Sequence, residues 1–94
     1  MEELSEEMVV VSPMGMHARP AAKLVQTVLQ FDSEVYIQHN SHRVNAKSIM
    51  GLLTLAAAQG SRLTVTCKGP DAQATLDAVR KLFASGLGDD IQSN

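Results

Sequence analysis

The sequence is short of the residues and runs that mark export, membrane insertion and nucleic-acid binding. Cys67 is the only cysteine, so no disulfide can form within the chain. The protein therefore does not need an oxidising compartment in order to fold. There is no tryptophan, one tyrosine and two phenylalanines, so we expect an aliphatic core. No apolar run reaches the length of a membrane span, and the acidic N-terminus is unlike a signal peptide. We expect a cytoplasmic protein that does not enter a membrane.

Charge is also sparse, with 8 lysines and arginines against 10 aspartates and glutamates and a net charge of -2. No basic run of the kind that grips phosphodiester backbones occurs, which argues against nucleic acid as a partner. A length of 94 residues suits one two-layer core with a shallow site. We predict a single domain over residues 1–94, with its core at about 7–87 and both ends frayed.

Hydrophobic spacing in the first half predicts a strand, a helix and a hairpin. A β-branched run at 8–12 suits a strand. Apolar residues recur every three or four positions from 18 to about 30, which predicts a helix with Pro20 in its first turn. Alternation over 35–39 and 42–45 predicts two strands joined by a two-residue turn.

The second half predicts a helix, a strand and a longer helix. Ser48 can cap the first of these, which Gly60 would end, and 62–67 alternates as a strand. Asp71 is a natural N-cap for the last helix, which Gly86 would end. The positions predicted to face inward are Ile49, Leu52, Leu53, Ala56, Leu63, Val65, Cys67, Ala72, Leu76, Val79 and Phe83.

The resulting order, β-α-β-β-α-β-α, predicts an α+β fold. Such an order fits one mostly antiparallel sheet with helices on a single face. The opposite face would be left to solvent, because polar residues alternate outward along the predicted strands. These outward residues are Tyr36, Gln38, Thr64 and Thr66.

The stretch Gly15-Met16-His17-Ala18-Arg19-Pro20 places a histidine and an arginine at the predicted start of the first helix. Backbone N–H groups of a first turn, here those of Ala18 and Arg19, bind anions, and the helix dipole favours a neutral imidazole. Arg19 adds paired donors that match phosphate oxygens. The pattern is typical of a histidine that accepts and donates a phosphoryl group, although a lone histidine there is more often structural or solvated.

His17-Ala18-Arg19-Pro20-Ala21, preceded by Gly15, resembles the active-site motif of the HPr family, the histidine-containing phosphocarriers of the bacterial sugar phosphotransferase system. The segment Val44-Asn45-Ala46-Lys47-Ser48-Ile49-Met50-Gly51-Leu52-Leu53 resembles the family's second signature, and element order matches from about residue 7 to 87. The resemblance implies an HPr-like open-faced β-sandwich, with a four-stranded antiparallel sheet and three helices on one face.

The resemblance also implies roles for particular residues. His17 would be phosphorylated on Nδ1 by the phospho-form of Enzyme I and would donate to the A domains of sugar-specific permeases. Arg19 would steady the phosphate, with Ser12 as a further phosphate-binding residue. Ser48 would be phosphorylated by HPr kinase/phosphorylase, and a catabolite regulator would be a further partner. We expect a monomeric carrier, not an enzyme, without cofactor or metal.

The second helix has more apolar residues than one inward stripe can hold. The resemblance implies that Ile49, Met50 and Leu53 are exposed for partner docking beside Ser48, whereas the alternative is a fully buried short helix. Gly51, which costs a helix about 1 kcal/mol relative to alanine, indicates that something approaches its backbone closely. Met14 replaces a residue that is polar in many relatives, so we expect altered transfer rates with unchanged chemistry.

Several alternatives remain open at this point. Ser48 can be simply an N-cap that contributes about 1 kcal/mol. His39 and His42 flank a turn, which is more typical of solvated hairpin residues than of a metal site. The chain could also be a regulatory HPr-like protein that acts mainly through Ser48, or a small α+β interaction domain that needs neither His17 nor Arg19.

Overall fold

The computed structural model describes residues 2–88. Seven elements follow one another in the predicted order and confirm the α+β class: β1 (Glu2–Val9), α1 (Ala18–Val28), β2 (Glu34–His39), β3 (His42–Asn45), α2 (Ile49–Leu53), β4 (Arg62–Gly69) and α3 (Ala72–Ala84). The strands form one antiparallel sheet in the spatial order β1-β4-β2-β3. The predicted fraying of residues 89–94 lies outside the described residues.

The core lies between the sheet and the helices. Alternate residues of β2 and β4 point toward the helices and are buried, as are Met8 of β1 and Val44 of β3. Gln38 and Thr64 on the other face are exposed, as predicted. Cys67 is fully buried, and burial, aided by the negative charge of Asp71, raises the pKa of its thiol to about 11. Fully buried core residues include Leu24, Val28, Val35, Ile37, Leu63, Val65 and Val79.

The first strand begins far earlier than predicted. We expected it at 8–12, but β1 pairs with β4 from Glu2 opposite Gly69 to Val9 opposite Arg62. Because β4 offers eight residues for pairing, the ladder extends through the acidic segment that we expected to fray. Glu6 also forms a salt bridge with Arg80 of α3, with 2.6 Å between Glu6 Oε1 and Arg80 Nη2, and this pair connects β1 to the helical layer.

The second helix is shorter than predicted. It ends at Leu53 rather than near Gly60, because Ala56 leaves the helical region with φ of 51°. Of its four predicted inward positions only Leu52 is buried, and Ile49, Leu53 and Ala56 are exposed. The first helix also ends two residues early, at Val28 instead of about position 30. Within residues 2–88, no helix is both long and apolar enough to cross a membrane.

Asp71 occupies the predicted N-cap position of α3, yet its side chain makes no capping hydrogen bond there. Its carboxylate instead accepts from Ser33 Oγ at 2.5 Å and from the Asp32 backbone N–H at 2.9 Å. The hydroxyl of buried Thr75 donates to the Asp71 carbonyl oxygen at 2.8 Å. Asp71 therefore ties the chain before β2 to the start of α3.

This arrangement predicts an acid-sensitive contribution to stability. The Ser33 hydroxyl and the Asp32 N–H, which both donate to the carboxylate, hold the pKa of Asp71 below its usual value. The contribution is therefore present above the unfolded-state pKa of about 4 and is lost as pH falls through the lower folded-state pKa.

Thermal denaturation between pH 2 and pH 7 tests this prediction. Asp71→Asn should melt below wild type at pH 7, and the difference should shrink as the medium becomes acidic. Glu7→Gln, on the exposed face of β1, is the matched control and should melt close to wild type. A melting-temperature difference for Asp71→Asn that stays constant down to pH 2 would contradict the assignment.

Candidate functional site

His17 lies at the N-cap of α1, where its backbone is extended with φ of -95° and ψ of -169°. Its carbonyl accepts the first helical hydrogen bond, from the Ala21 N–H at 3.0 Å. The first turn therefore contains Ala18 and Arg19, whose N–H groups have no acceptor within a helix, and Pro20, which has no N–H. His17 is half-buried and Arg19 is exposed, so the imidazole stands beside an anion-binding helix start.

The site loop, residues 10–17, lies against the segment that leads into β4 and is hydrogen-bonded to it. Met16 is buried, and its N–H donates to the Ala57 carbonyl oxygen at 2.8 Å. Gly15 has φ of +70°, and a Cβ there would collide with the same Ala57 oxygen and lie 3.0 Å from Ala58 Cα. Only glycine fits where the site loop passes so close to Ala57 and Ala58, and this close approach places Met16, the residue before His17, against Ala57.

Ser12 and Met14 occupy opposite environments within this loop. Ser12 is fully buried, and its carbonyl accepts from the Gly15 N–H at 3.0 Å, so its predicted contact with phosphate stays a prediction. Met14 is 76% exposed. The Met14 side chain therefore faces solvent three residues before His17.

A second cation lies one helical turn beyond Arg19. A shallow concavity on α1 is lined by both Arg19 and Lys23. The two side chains raise the positive potential near the start of α1, which favours an anion there. Lys23 was missed in the sequence, although its i, i+4 spacing from Arg19 was a usable signal.

Ser48 caps α2 as predicted, since its Oγ accepts from the Gly51 N–H at 3.0 Å. The close approach predicted at Gly51 is also present: a Cβ there would lie 3.3 Å from Ser48 Oγ and 3.4 Å from Val44 Cβ. Ser48 is exposed, and α2 packs against α1, the helix that begins beside His17. A modification of Ser48 would therefore lie on an accessible part of the same helical layer.

The apolar patch of α2 consists of Ile49, Met50 and Leu53, which are 40%, 74% and 38% exposed. Their exposure is confirmed, and the fully buried alternative is wrong. The inward orientation that hydrophobic spacing predicted for Ile49 and Leu53 is wrong for the same reason. Leu52 is the one buried residue of this five-residue helix.

The two hairpin histidines are hydrogen-bonded to the two residues that directly follow α2, rather than simply solvated. His39 is half-buried, with Nδ1 2.9 Å from the Leu55 carbonyl oxygen, and His42 Nε2 lies 2.8 Å from Thr54 Oγ1. They lie on the same face of the hairpin because β2 and β3 pair them directly, and their contacts with Leu55 and Thr54 place that face toward the segment after α2. Among residues 2–88, no group of three or more His, Cys, Asp or Glu side chains could hold a metal ion.

A four-stranded antiparallel sheet with three helices and a half-buried histidine at the start of α1 defines the class of protein: a small α+β domain with a histidine placed at a helix start. The family described as PTS HPr component phosphorylation site matches residues 4–85. The chain belongs to this family, the HPr phosphocarriers of the phosphotransferase system.

Individual relatives agree with this assignment. The chain is 47% identical to phosphocarrier protein HPr of Treponema pallidum over 74 residues, which cover 79% of this chain and 84% of that one. It is 40% identical to the HPr of Xylella fastidiosa strain 9a5c over 87 residues, or 93% and 98% of the two chains. The crystal structure of an HPr from Bacillus anthracis superposes with a TM-score of 0.83 at 36% identity, covering 88% of this chain and 99% of that one.

Proposed function

We propose that the chain accepts a phosphoryl group on His17 Nδ1 from phospho-Enzyme I and passes it to the A domains of sugar-specific permeases. In the first transfer the Nδ1 lone pair attacks phosphorus and a phosphorus–nitrogen bond forms. The bond between phosphorus and the donor atom breaks, and its electron pair stays with the donor. In the second transfer a nucleophile of the permease A domain attacks phosphorus, the phosphorus–nitrogen bond breaks, and its electron pair returns to Nδ1. The protein therefore ends each cycle unchanged.

The observation that carries this proposal is the position of His17 at the N-cap of α1. A phosphoryl group on its ring carries negative charge to the positive end of the helix dipole and to the N–H groups of Ala18 and Arg19. The Arg19 guanidinium supplies two further donors from an exposed position. Ser12 would join them only if its buried hydroxyl reached the phosphate.

Docking of both partner proteins is assigned to the apolar patch of α2. Exposed methionine and leucine side chains beside a reactive site adapt to different partner surfaces. A monomer with one convex site presents that patch to each partner in turn. We place this cycle in the cytoplasm, and any magnesium that the transfer needs would come from the docked partner.

The first test is transfer from phosphoenolpyruvate through purified Enzyme I to the native chain. We expect one phosphate per chain, labile in acid and stable in alkali, on the peptide that contains His17. That phosphate should then pass to a permease A domain. No incorporation with an active Enzyme I would refute the carrier function and leave regulation through Ser48 or a plain interaction domain.

Regulation by phosphorylation of Ser48 is the second part of the proposal. The observation favouring it is an exposed hydroxyl at the start of α2, directly before the apolar patch. A phosphate there would be stabilised by the helix start, so it would change the docking surface rather than unfold it. Two negative charges beside apolar side chains oppose burial of that surface against a partner.

Ser48→Asp should therefore raise the KM of Enzyme I for this protein about tenfold, equivalent to about 1.4 kcal/mol of docking energy. Ser48→Ala is the matched control, because it loses the cap without adding charge. We expect it to keep a normal KM while losing about 1 kcal/mol of stability. An Asp variant with the KM of wild type would argue against regulation through this position.

A further inference from the structure

Residues 54–58, here called the strap, connect α2 with β4 in an unusual backbone conformation. Leu55 and Ala57 are buried, and exposed Ala56 between them has φ of 51°. The left-handed region disfavours residues with a Cβ, and such residues persist where surrounding contacts fix them. The strap therefore depends on its neighbours at both ends.

One neighbour is the site loop. The Ala57 carbonyl oxygen accepts from the Met16 N–H at 2.8 Å and contacts Gly15. Just beyond the strap, the Gly60 N–H donates to the Val10 carbonyl oxygen at 2.7 Å. The position of the Ala57 carbonyl thus decides where Met16 lies, and Met16 directly precedes His17.

The other neighbour is the β2–β3 hairpin. A carbonyl oxygen only accepts, so His39 Nδ1 carries the hydrogen in its 2.9 Å contact with Leu55. The Thr54 hydroxyl donates its hydrogen to the Gly51 carbonyl oxygen at 2.6 Å. Thr54 Oγ1 can therefore only accept in its contact with His42, so His42 Nε2 is the donor there. Both imidazoles therefore act as donors toward the strap.

We propose that His39 is a positioning residue for phosphoryl transfer. By holding Leu55, it fixes the left-handed turn at Ala56 and keeps the Ala57 carbonyl oxygen beneath the Met16 N–H. His17 is thereby held in the orientation that attacks phosphorus. The inference rests on the proposed function of His17, but the loop positioning itself can be measured without any transfer.

The test compares three variants of the full chain. His39→Leu keeps bulk and removes the donor, whereas His39→Asn returns an amide N–H to the place of Nδ1. Gln38→Ala is the control, because Gln38 lies on the opposite face of β2 and donates to the Asn40 carbonyl oxygen. The readouts are hydrogen exchange of the Met16 backbone amide by NMR and the rate of phosphoryl transfer from Enzyme I.

We expect the Met16 amide to exchange about 5- to 10-fold faster in His39→Leu, and transfer to slow about 3- to 10-fold. The Asn variant should recover both values, and Gln38→Ala should match wild type. Unchanged Met16 exchange in the Leu variant, or an Asn variant as impaired as Leu, would overturn the proposal. So would faster exchange spread over all core amides. If the wild-type chain is not phosphorylated either, the carrier function fails, while Met16 exchange still decides whether His39 positions the site loop.

Discussion

His17→Ala should abolish acid-labile phosphorylation while leaving the fold intact. His17 contributes its carbonyl to the first turn of α1, and alanine supplies the same carbonyl to the Ala21 N–H. The variant should therefore melt within about 5 °C of wild type, a stability change of no more than about 1 kcal/mol. Transfer requires a nucleophilic nitrogen at this helix start, and the substitution removes it.

The measurement is incorporation from phosphoenolpyruvate and Enzyme I, followed by acid treatment and by peptide mapping. His42→Ala is the matched control, since it removes another imidazole, from an exposed position on the hairpin. We expect full incorporation in this control. Residual acid-labile phosphate in His17→Ala, or label on the hairpin peptide of wild type, would show that another histidine is the acceptor.

Gly15→Ala should destabilise the protein and impair transfer together. Its Cβ would collide with the Ala57 carbonyl oxygen, so either this oxygen moves or Gly15 leaves its φ of +70°. Both routes break the 2.8 Å hydrogen bond between Met16 and Ala57. Left-handed strain of about 1–2 kcal/mol and a lost hydrogen bond of about 1 kcal/mol add to roughly 2–3 kcal/mol.

Gly60→Ala is the control that separates the backbone strain of a positive φ from the steric collision with Ala57. Gly60 also has a positive φ, of +91°, but a Cβ there meets nothing within 4 Å. This variant should lose only the strain energy, about 1–2 kcal/mol, and should accept phosphate at the wild-type rate. Chemical denaturation and transfer kinetics of both variants provide the comparison. Equal losses of stability and equal rates would contradict a special role for the Gly15–Ala57 crossing.

Features encoded by neighbouring residues could be predicted from the sequence. Period-two and period-3.6 patterns correctly indicated the order of strands and helices, because each pattern lies within one element. Ser48 at the start of α2 was predicted for the same reason, since a cap and its N–H partner are three residues apart. The position of His17 at the start of α1 likewise followed from a local motif.

Features that depend on distant residues could not be predicted in this way. The start of β1 at Glu2 depends on Gly69 of β4, which lies opposite it in the sheet. The carboxylate of Asp71 bonds to Asp32 and Ser33, more than 35 residues away in the chain, instead of capping its own helix. The residues around Glu2 and around Asp71 therefore give no indication of these distant partners.

The sequence by itself determined the element order, the solvent-facing side of the sheet and the histidine at the helix start, because local spacing and capping encode them. Only the tertiary structure decided how that histidine is held. The carbonyl of Ala57 reaches Met16, and His39 reaches Leu55, because sheet order brings the hairpin, the strap and the site loop together. Those contacts join residues far apart in the chain. A short stretch of sequence contains only one of the two partners, so it cannot show that they pair.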